Sequence, residues 1–178
     1  MLGIRTKLMH LWLEGPARRL HARTLQCFRN AGKPPQKILF LCYGNICRSP
    51  VAEKLGQQCM AAATVTSAGF YPEENRRSPS NVQRAAQILG VDLTAWSSRR
   101  VNKTMVDSAD LIVLHDLKNF RNFRREFPND LHKVVLLGML LDPPRIDITD
   151  PYEKPDGETL EILRQIEAAI QALARQFS

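Results

Sequence analysis

The sequence predicts an α/β protein: a three-layer sandwich with a central, mostly parallel four-stranded sheet and helices on both faces. Three observations predict it. Short unbroken apolar runs, KILFL at 37–41, LIVL at 111–114 and VVLL at 134–137, have the character of strands buried on both faces. Segments of helical period separate these runs, so strand and helix alternate along the chain. The composition, 44% hydrophobic and 24% charged over 178 residues, suits one domain with a well-buried core. No apolar stretch reaches the roughly eighteen residues needed to span a bilayer.

The first 36 residues stand apart. Residues 1–37 hold eight Lys/Arg against one acid, Glu14, whereas the whole chain has 25 basic and 18 acidic residues. The net charge of +7 therefore belongs to this end, and the remainder is balanced. Ile4, Leu8, Leu11 and Trp12, and beyond Gly15-Pro16 the residues Ala17, Leu20, Thr24 and Phe28, fall at helical spacing. They predict two short basic amphipathic helices divided at the proline. Lys33-Pro34-Pro35 ends the extension, which places a boundary between residues 1–36 and a domain over 37–178.

From there the elements follow in order. A strand over 37–41 leads to a helix over 50–63, with Val51, Leu55, Cys59 and Ala62 on one face. A second strand over 64–67 is stopped by Ala68-Gly69. A helix over 80–89 has Gly90 just past its end, and a third strand covers 111–114. A basic helix over 117–127 is stopped by Pro128, a fourth strand covers 134–137, and a long helix over 157–177 closes the chain.

The chemistry gathers where the first strand ends, in FLCYGNICRSPVAE at 40–53. Ligands of open parallel sheets bind outside the carboxyl ends of the strands, and Cys42 stands at such an end. The turn that follows runs directly into a helix N-terminus, so main-chain N–H groups converge on an anion site. Gly44 and Asn45 are the residues best able to adopt positive φ there. Arg48 adds a planar fork that grips two oxygens of a phosphate. The same surroundings favour the thiolate of Cys42, and Ser49 is placed to donate to its sulfur. A thiolate beneath a bound phosphate is set for in-line attack on phosphorus. The leaving oxygen needs a proton, and Asp150, fixed ahead of Pro151 in DITDPYEKPDGE, is the candidate acid.

CYGNICRSPVAE with the distant DPYE resembles the two motifs of the low-molecular-weight protein tyrosine phosphatase family. SAGF at 67–70, GVDL at 90–93, ADLIVL at 109–114 and VVLLG at 134–138 extend the resemblance from about residue 37 to the C-terminus. The resemblance implies Cys42 as the nucleophile that forms a phosphocysteine, Arg48 as the phosphate clamp, and Asp150 as general acid and then general base. It implies a phosphate-binding loop of Tyr43, Gly44, Asn45, Ile46 and Cys47, with Ser49 assisting the sulfur and Ser78 supporting Asn45. Cys47 resembles a backup thiol able to pair with Cys42 on oxidation. Tyr43 and Tyr152 match positions that flank the cleft, and two aromatic walls suit a phenyl phosphate. Ile46 stands where the phosphoarginine branch uses threonine, which points to phosphotyrosine.

Trp96, where relatives often carry histidine, and His115-Asp116, in place of a common Met-Asp, depart from the family pattern and bear on the surface near the cleft. Three other readings remain open at this level: an arsenate reductase drawing on an external thiol, a phosphoarginine phosphatase, and a phosphate-binding module without turnover. No cofactor and no metal are implied, since His10, His21, His115 and His132 are not spaced as ligands. Four cysteines, Cys27, Cys42, Cys47 and Cys59, are too few for a disulfide framework and suit a cytoplasmic setting. The expected partner is a phosphotyrosine protein, with a tyrosine kinase of polysaccharide export as the family-level candidate. Residues 1–36 either pack on the domain or meet an anionic membrane surface or acidic partner, which would make the protein membrane-peripheral. Nothing in the sequence reads nucleic-acid bases.

Overall fold

The computed structural model describes residues 2–177, and for residues 2–13 and 31 only the course of the helix that contains them. Four strands, β1 (Lys37–Cys42), β2 (Thr64–Gly69), β3 (Leu111–Leu114) and β4 (Val134–Leu136), pair in parallel in the order β2-β1-β3-β4. Every residue of the two inner runs, Ile38–Cys42 and Leu111–Leu114, is buried, as strands covered on both faces require. Helices α2 (Arg48–Cys59), α3 (Ser80–Ile88) and α6 (Asp156–Arg175) pack on the face that carries Ile38, Phe40, Val65, Leu111 and Val113. Helices α4 (Lys103–Ser108) and α5 (Leu117–Glu126) cover Leu39, Leu41, Ile112 and Leu114 on the other. The strand register puts Cys42 beside Gly69, and Leu41 beside Leu114. The carboxyl ends of β1, β2 and β3 therefore lie level, and the loops that leave them meet over one edge.

The N-terminal segment differs from the sequence expectation. It is one helix, α1 (Leu2–Ala31), which runs through Pro16 where two helices were predicted. A proline inside a helix forfeits one main-chain hydrogen bond. Docking of the following turns offsets that cost: Ala17 and Leu20 join one layer of the core while Leu25 and Phe28 join the other. The helix thus straddles β4, an edge strand whose outward N–H groups would otherwise lack partners. Leu136 N–H donates to His21 Nδ1 at 3.2 Å, and Thr24 Oγ1 donates to His132 O at 2.9 Å. The side chains of Ile4, Leu8, Leu11 and Trp12 lie outside those described.

Other boundaries move by a residue or more. Strand β2 continues to Gly69 rather than stopping at 67, and α2 begins at Arg48 rather than 50. Helix α4 was not predicted; its signal is Asn102, whose side chain accepts from Met105 N–H at 3.0 Å as an N-cap. Short 3-10 turns at Pro128–Lys133 and Leu137–Leu140 flank β4.

Candidate active site

The loop from Tyr43 to Cys47 joins β1 to α2 and folds back over the Cys42 sulfur. Asn45 N–H donates to Cys42 Sγ at 3.3 Å, and Ser49 Oγ lies 3.1 Å from it. Asn45 holds the curl at φ 52°, in the left-handed region that asparagine tolerates. Gly44 does not share that conformation, contrary to the sequence expectation; a Cβ there would sit 3.0 Å from Arg76 Nη2.

Asn45 is fully buried, and its polar atoms account for the shape of the loop. Its Nδ2 donates to Ser49 Oγ and to Ser67 Oγ, both at 2.9 Å, while its Oδ1 accepts from Arg99 N–H at 2.8 Å and its main-chain O from Trp96 Nε1 at 2.8 Å. Because Ser49 Oγ accepts from Asn45, its own proton is free for the sulfur or for Ala68 O at 3.4 Å, and the sulfur is nearer. Ser78 does not support Asn45: its buried hydroxyl has no partner, and Ser67 at the end of β2 fills that role because the register brings β2 alongside β1. Trp96 is a strut beneath the loop, 8% exposed, rather than part of the cleft surface. Gly69 is required by the same crossing, since a Cβ would come within 2.8 Å of Asn45 N and Tyr43 O.

Arg48, the first residue of α2, is 2% exposed. Its Nη1 donates to Asp116 at 2.5 Å and to Ile148 O at 3.0 Å, and its Nη2 to Asp150 at 2.8 Å. Burial works against its charge, but Asp116, Asp150 and Cys42 outweigh that and raise its pKa above arginine's ordinary range. Its Nε, also buried, has no partner. Asp116 anchors this guanidinium while capping α5, its other oxygen accepting from Asn119 N–H at 2.6 Å. The main chain beside Asp116 ties in the acid loop, because Ile148 N–H donates to His115 O at 2.8 Å. His115 itself is fully buried behind the site, with its pKa lowered by burial and by Arg48. Asp150 is half exposed across the mouth.

Cys42 and Asp150 line a cleft of about 240 Å³ with Tyr43, Gly44, Ile46, Cys47, Tyr71, Arg76 and Tyr152. Tyr43 and Tyr152 stand half exposed at its rim, the places the sequence assigned them. Tyr71 meets Tyr43 edge to face at 5.7 Å. Burial pushes the Cys47 thiol well above the usual thiol range, with Asp150 and Cys42 adding to the effect. Cys42, Arg48, Ser49 and Asp150 are thus brought together as predicted. Ser67, Arg99, Tyr71 and Arg76 were not foreseen, because topology rather than spacing delivers them, and His115-Asp116, expected at the surface near the cleft, is instead buried behind Arg48.

The sequence model described as low molecular weight phosphotyrosine protein phosphatase matches residues 37–178. A curated relative, the probable low molecular weight protein-tyrosine-phosphatase EpsP of Ralstonia solanacearum, is 32% identical over 140 residues, covering 76% of this chain and 91% of that protein. Among solved structures, the tyrosine phosphatase Wzb from Escherichia coli K30 in complex with sulphate superposes with TM-score 0.76 at 25% identity, covering 82% of this chain and all of that one. The arginine phosphatase YwlE from Geobacillus stearothermophilus gives TM-score 0.73 at 26% identity over 79% of this chain and 92% of its own. With motif, topology and loop geometry in agreement, the chain belongs to the low-molecular-weight phosphotyrosine protein phosphatase family.

Proposed function

We propose that the protein hydrolyses phosphotyrosine in protein substrates through a phosphocysteine on Cys42. The observation that carries this reading is the juxtaposition at the cleft floor: a sulfur receiving Asn45 N–H at 3.3 Å, a buried guanidinium with one unpartnered donor, and a carboxylate bridging that guanidinium to the mouth. Arg48 Nη1 is committed to Asp116 and Ile148, which fixes the plane of the fork. Its Nε and Nη2 are the donors left for two phosphate oxygens, and an incoming phosphate competes with Asp150 for Nη2. Asp150 is thereby released toward the ester oxygen.

In the first step Cys42 Sγ attacks phosphorus, the P–O bond to the phenol breaks, and Asp150 gives its proton to the leaving oxygen. In the second step Asp150 takes a proton from water, the water oxygen attacks phosphorus, and the P–S bond breaks to release phosphate and restore the thiolate. Ser49 steadies the sulfur as a leaving group in this second step. Cys47, buried and held as the thiol, fits the backup role on oxidation of Cys42 rather than nucleophilic attack on substrate.

Tyr43 and Tyr152 flank the mouth, and Ile46 adds an apolar contact, which suits a phenyl ring better than a guanidinium. This favours phosphotyrosine over phosphoarginine as substrate. A phosphotyrosine protein is the partner in this reading, and a tyrosine kinase of polysaccharide export is its family-level candidate. The reading places the protein in the cytoplasm; among the described residues no helix is long and apolar enough to cross a membrane. The basic α1 remains the element for a membrane surface or acidic partner.

The test is metal-free hydrolysis of a phosphotyrosine peptide and of a phosphoarginine peptide by the same preparation. Preferential release of phosphate from the first is expected. Preference for the second, or phosphate binding with no hydrolysis of either, overturns the reading.

A further inference from the structure

Arg76, in the segment between β2 and α3, lies outside both family motifs; it lines the cleft and also meets the nucleophile's loop through a single peptide group. Its Nη2 donates to Gly44 O at 2.6 Å. The N–H of that same peptide, belonging to Asn45, donates to Cys42 Sγ at 3.3 Å. The guanidinium and the sulfur therefore sit at opposite ends of one peptide dipole, with the positive charge at the carbonyl end.

A cation on the carbonyl oxygen draws electron density toward it and strengthens the N–H at the other end as a donor. Arg76 is held for this task. Its guanidinium carbon lies 4.0 Å from the centroid of the Tyr71 ring, and its Nε donates to Glu73 O at 3.3 Å. Among the described residues its partners are thus two main-chain carbonyls and an aromatic face, none of them an anion that would cancel its charge. Its field extends into the cage, where it opposes the upward push on the neighbouring Cys47. Glycine at position 44 leaves the room this approach needs, since a Cβ would stand 3.0 Å from Nη2.

We propose that Arg76 is a positioning residue for the nucleophile: it fixes and polarises the Gly44–Asn45 peptide so that its N–H stabilises the Cys42 thiolate. The proposal rests on the phosphatase reading and deepens it. The other charged and titratable groups around Cys42 are Arg48 from α2, Asp150 from the loop before α6 and Cys47 from the same turn, with Asp116 and His115 behind Arg48. Arg76 differs from these in acting through a main-chain peptide as well as through its own field.

The test is site-resolved alkylation of Cys42 by iodoacetamide in the parent, Arg76→Met and Arg76→Lys proteins. Peptide mass spectrometry separates Cys42 from the exposed Cys27 and Cys59. The quantity read is the ratio of the Cys42 rate at mildly acid pH to that at mildly alkaline pH. Loss of the charge in Arg76→Met is expected to lower this ratio about three- to tenfold, and Arg76→Lys to restore most of it. A merely structural loosening of the loop would change the rate at every pH and leave the ratio in place. An unchanged ratio in Arg76→Met, with a parent that hydrolyses phosphotyrosine, overturns the inference alone. A parent that neither hydrolyses phosphotyrosine nor has Cys42 shielded by phosphate overturns the phosphatase reading first.

Discussion

The loop between β1 and α2 and the helix α1 are both fastened to the sheet, but by opposite means. In the loop Ile46 and Cys47 join the core, but the curl itself is held by polar contacts: one asparagine at φ 52° makes four hydrogen bonds through its side chain and carbonyl, to Ser49, Ser67, Arg99 and Trp96. Along α1 the holding is mostly apolar, through Ala17, Leu25 and the Phe28–Phe177 edge contact at 5.6 Å, with few polar ties to β4 and α6. The first kind of fastening fixes atoms to a fraction of an ångström, as a reaction requires. The second fixes an element while leaving its surface open to change. Substitutions in the two regions should therefore separate, loop changes acting on rate and α1 changes on stability.

The largest effect tests whether the loop is chemical at all. Cys42→Ser keeps a hydroxyl near the sulfur's position but removes the thiolate, so hydrolysis of p-nitrophenyl phosphate should fall to background, a loss on the order of 10⁴-fold or more, with little change in Tm. Retained turnover would move the nucleophile elsewhere. Asp150→Asn comes next. The amide can still meet Arg48 but has no proton to give, so turnover of a phosphotyrosine peptide should drop about 10²- to 10⁴-fold. The loss should shrink for substrates whose leaving group needs no proton, and rapid-quench trapping should find phosphocysteine where hydrolysis of the intermediate is the slower step. A uniform loss across leaving groups would deny Asp150 the acid's role.

Trp96→Phe probes the support rather than the chemistry. It deletes the Nε1 donor to Asn45 O at 2.8 Å and leaves a buried carbonyl short of a partner, which costs about 1–3 kcal/mol. Thermal unfolding should register that loss, and kcat/KM should fall far less than in Asp150→Asn. A variant as stable as the parent would show that the loop does not depend on this strut.

The contrast also explains what the sequence disclosed. The cage was legible because Cys42, Asn45, Arg48 and Ser49 lie within eight consecutive residues, so strand, curl and helix N-terminus could be read together. Asp150 was legible through its proline. The roles of Ser67, Arg99 and Asp116 were not, since each joins the site only when the order β2-β1-β3-β4 brings neighbouring strand ends level. Ser78 misled for the same reason: the sequence alone does not show which serine lies beside the loop, and the β1–β2 register gives that role to Ser67. In α1 the local signal, Gly15-Pro16, predicted a break, and tertiary docking overrode it. Local rules govern the strands and the loop because burial and curvature are encoded nearby. They fail for α1 because what holds it is β4, more than a hundred residues away.

The most local effect concerns that docking and leaves the rate at neutral pH untouched. His21 accepts from Leu136 N–H through Nδ1, so the bond requires a ring that is unprotonated on that nitrogen. Burial, assisted by the charge of Arg29, lowers its pKa to about 4, against 6.5 for a free imidazole. Between those values the unfolded chain binds a proton that the folded chain refuses. The contribution of His21 is therefore fully present above about pH 6.5 and is lost as the pH falls toward 4, on the order of 3 kcal/mol across the window. His115, buried with its pKa also lowered, acts in the same direction, so the two must be separated. In His21→Gln the amide oxygen can accept the Leu136 proton at every pH, and urea unfolding followed from neutral to acid pH should show a shallower decline than in the parent. Amide exchange at Leu136 should locate the difference: in the parent its protection is expected to fall on acidification before that of Leu114 in β3, and in His21→Gln the two should fall together. Equal slopes for parent and variant would mean that α1 is secured by its apolar contacts alone, and that the edge of β4 does not depend on the imidazole.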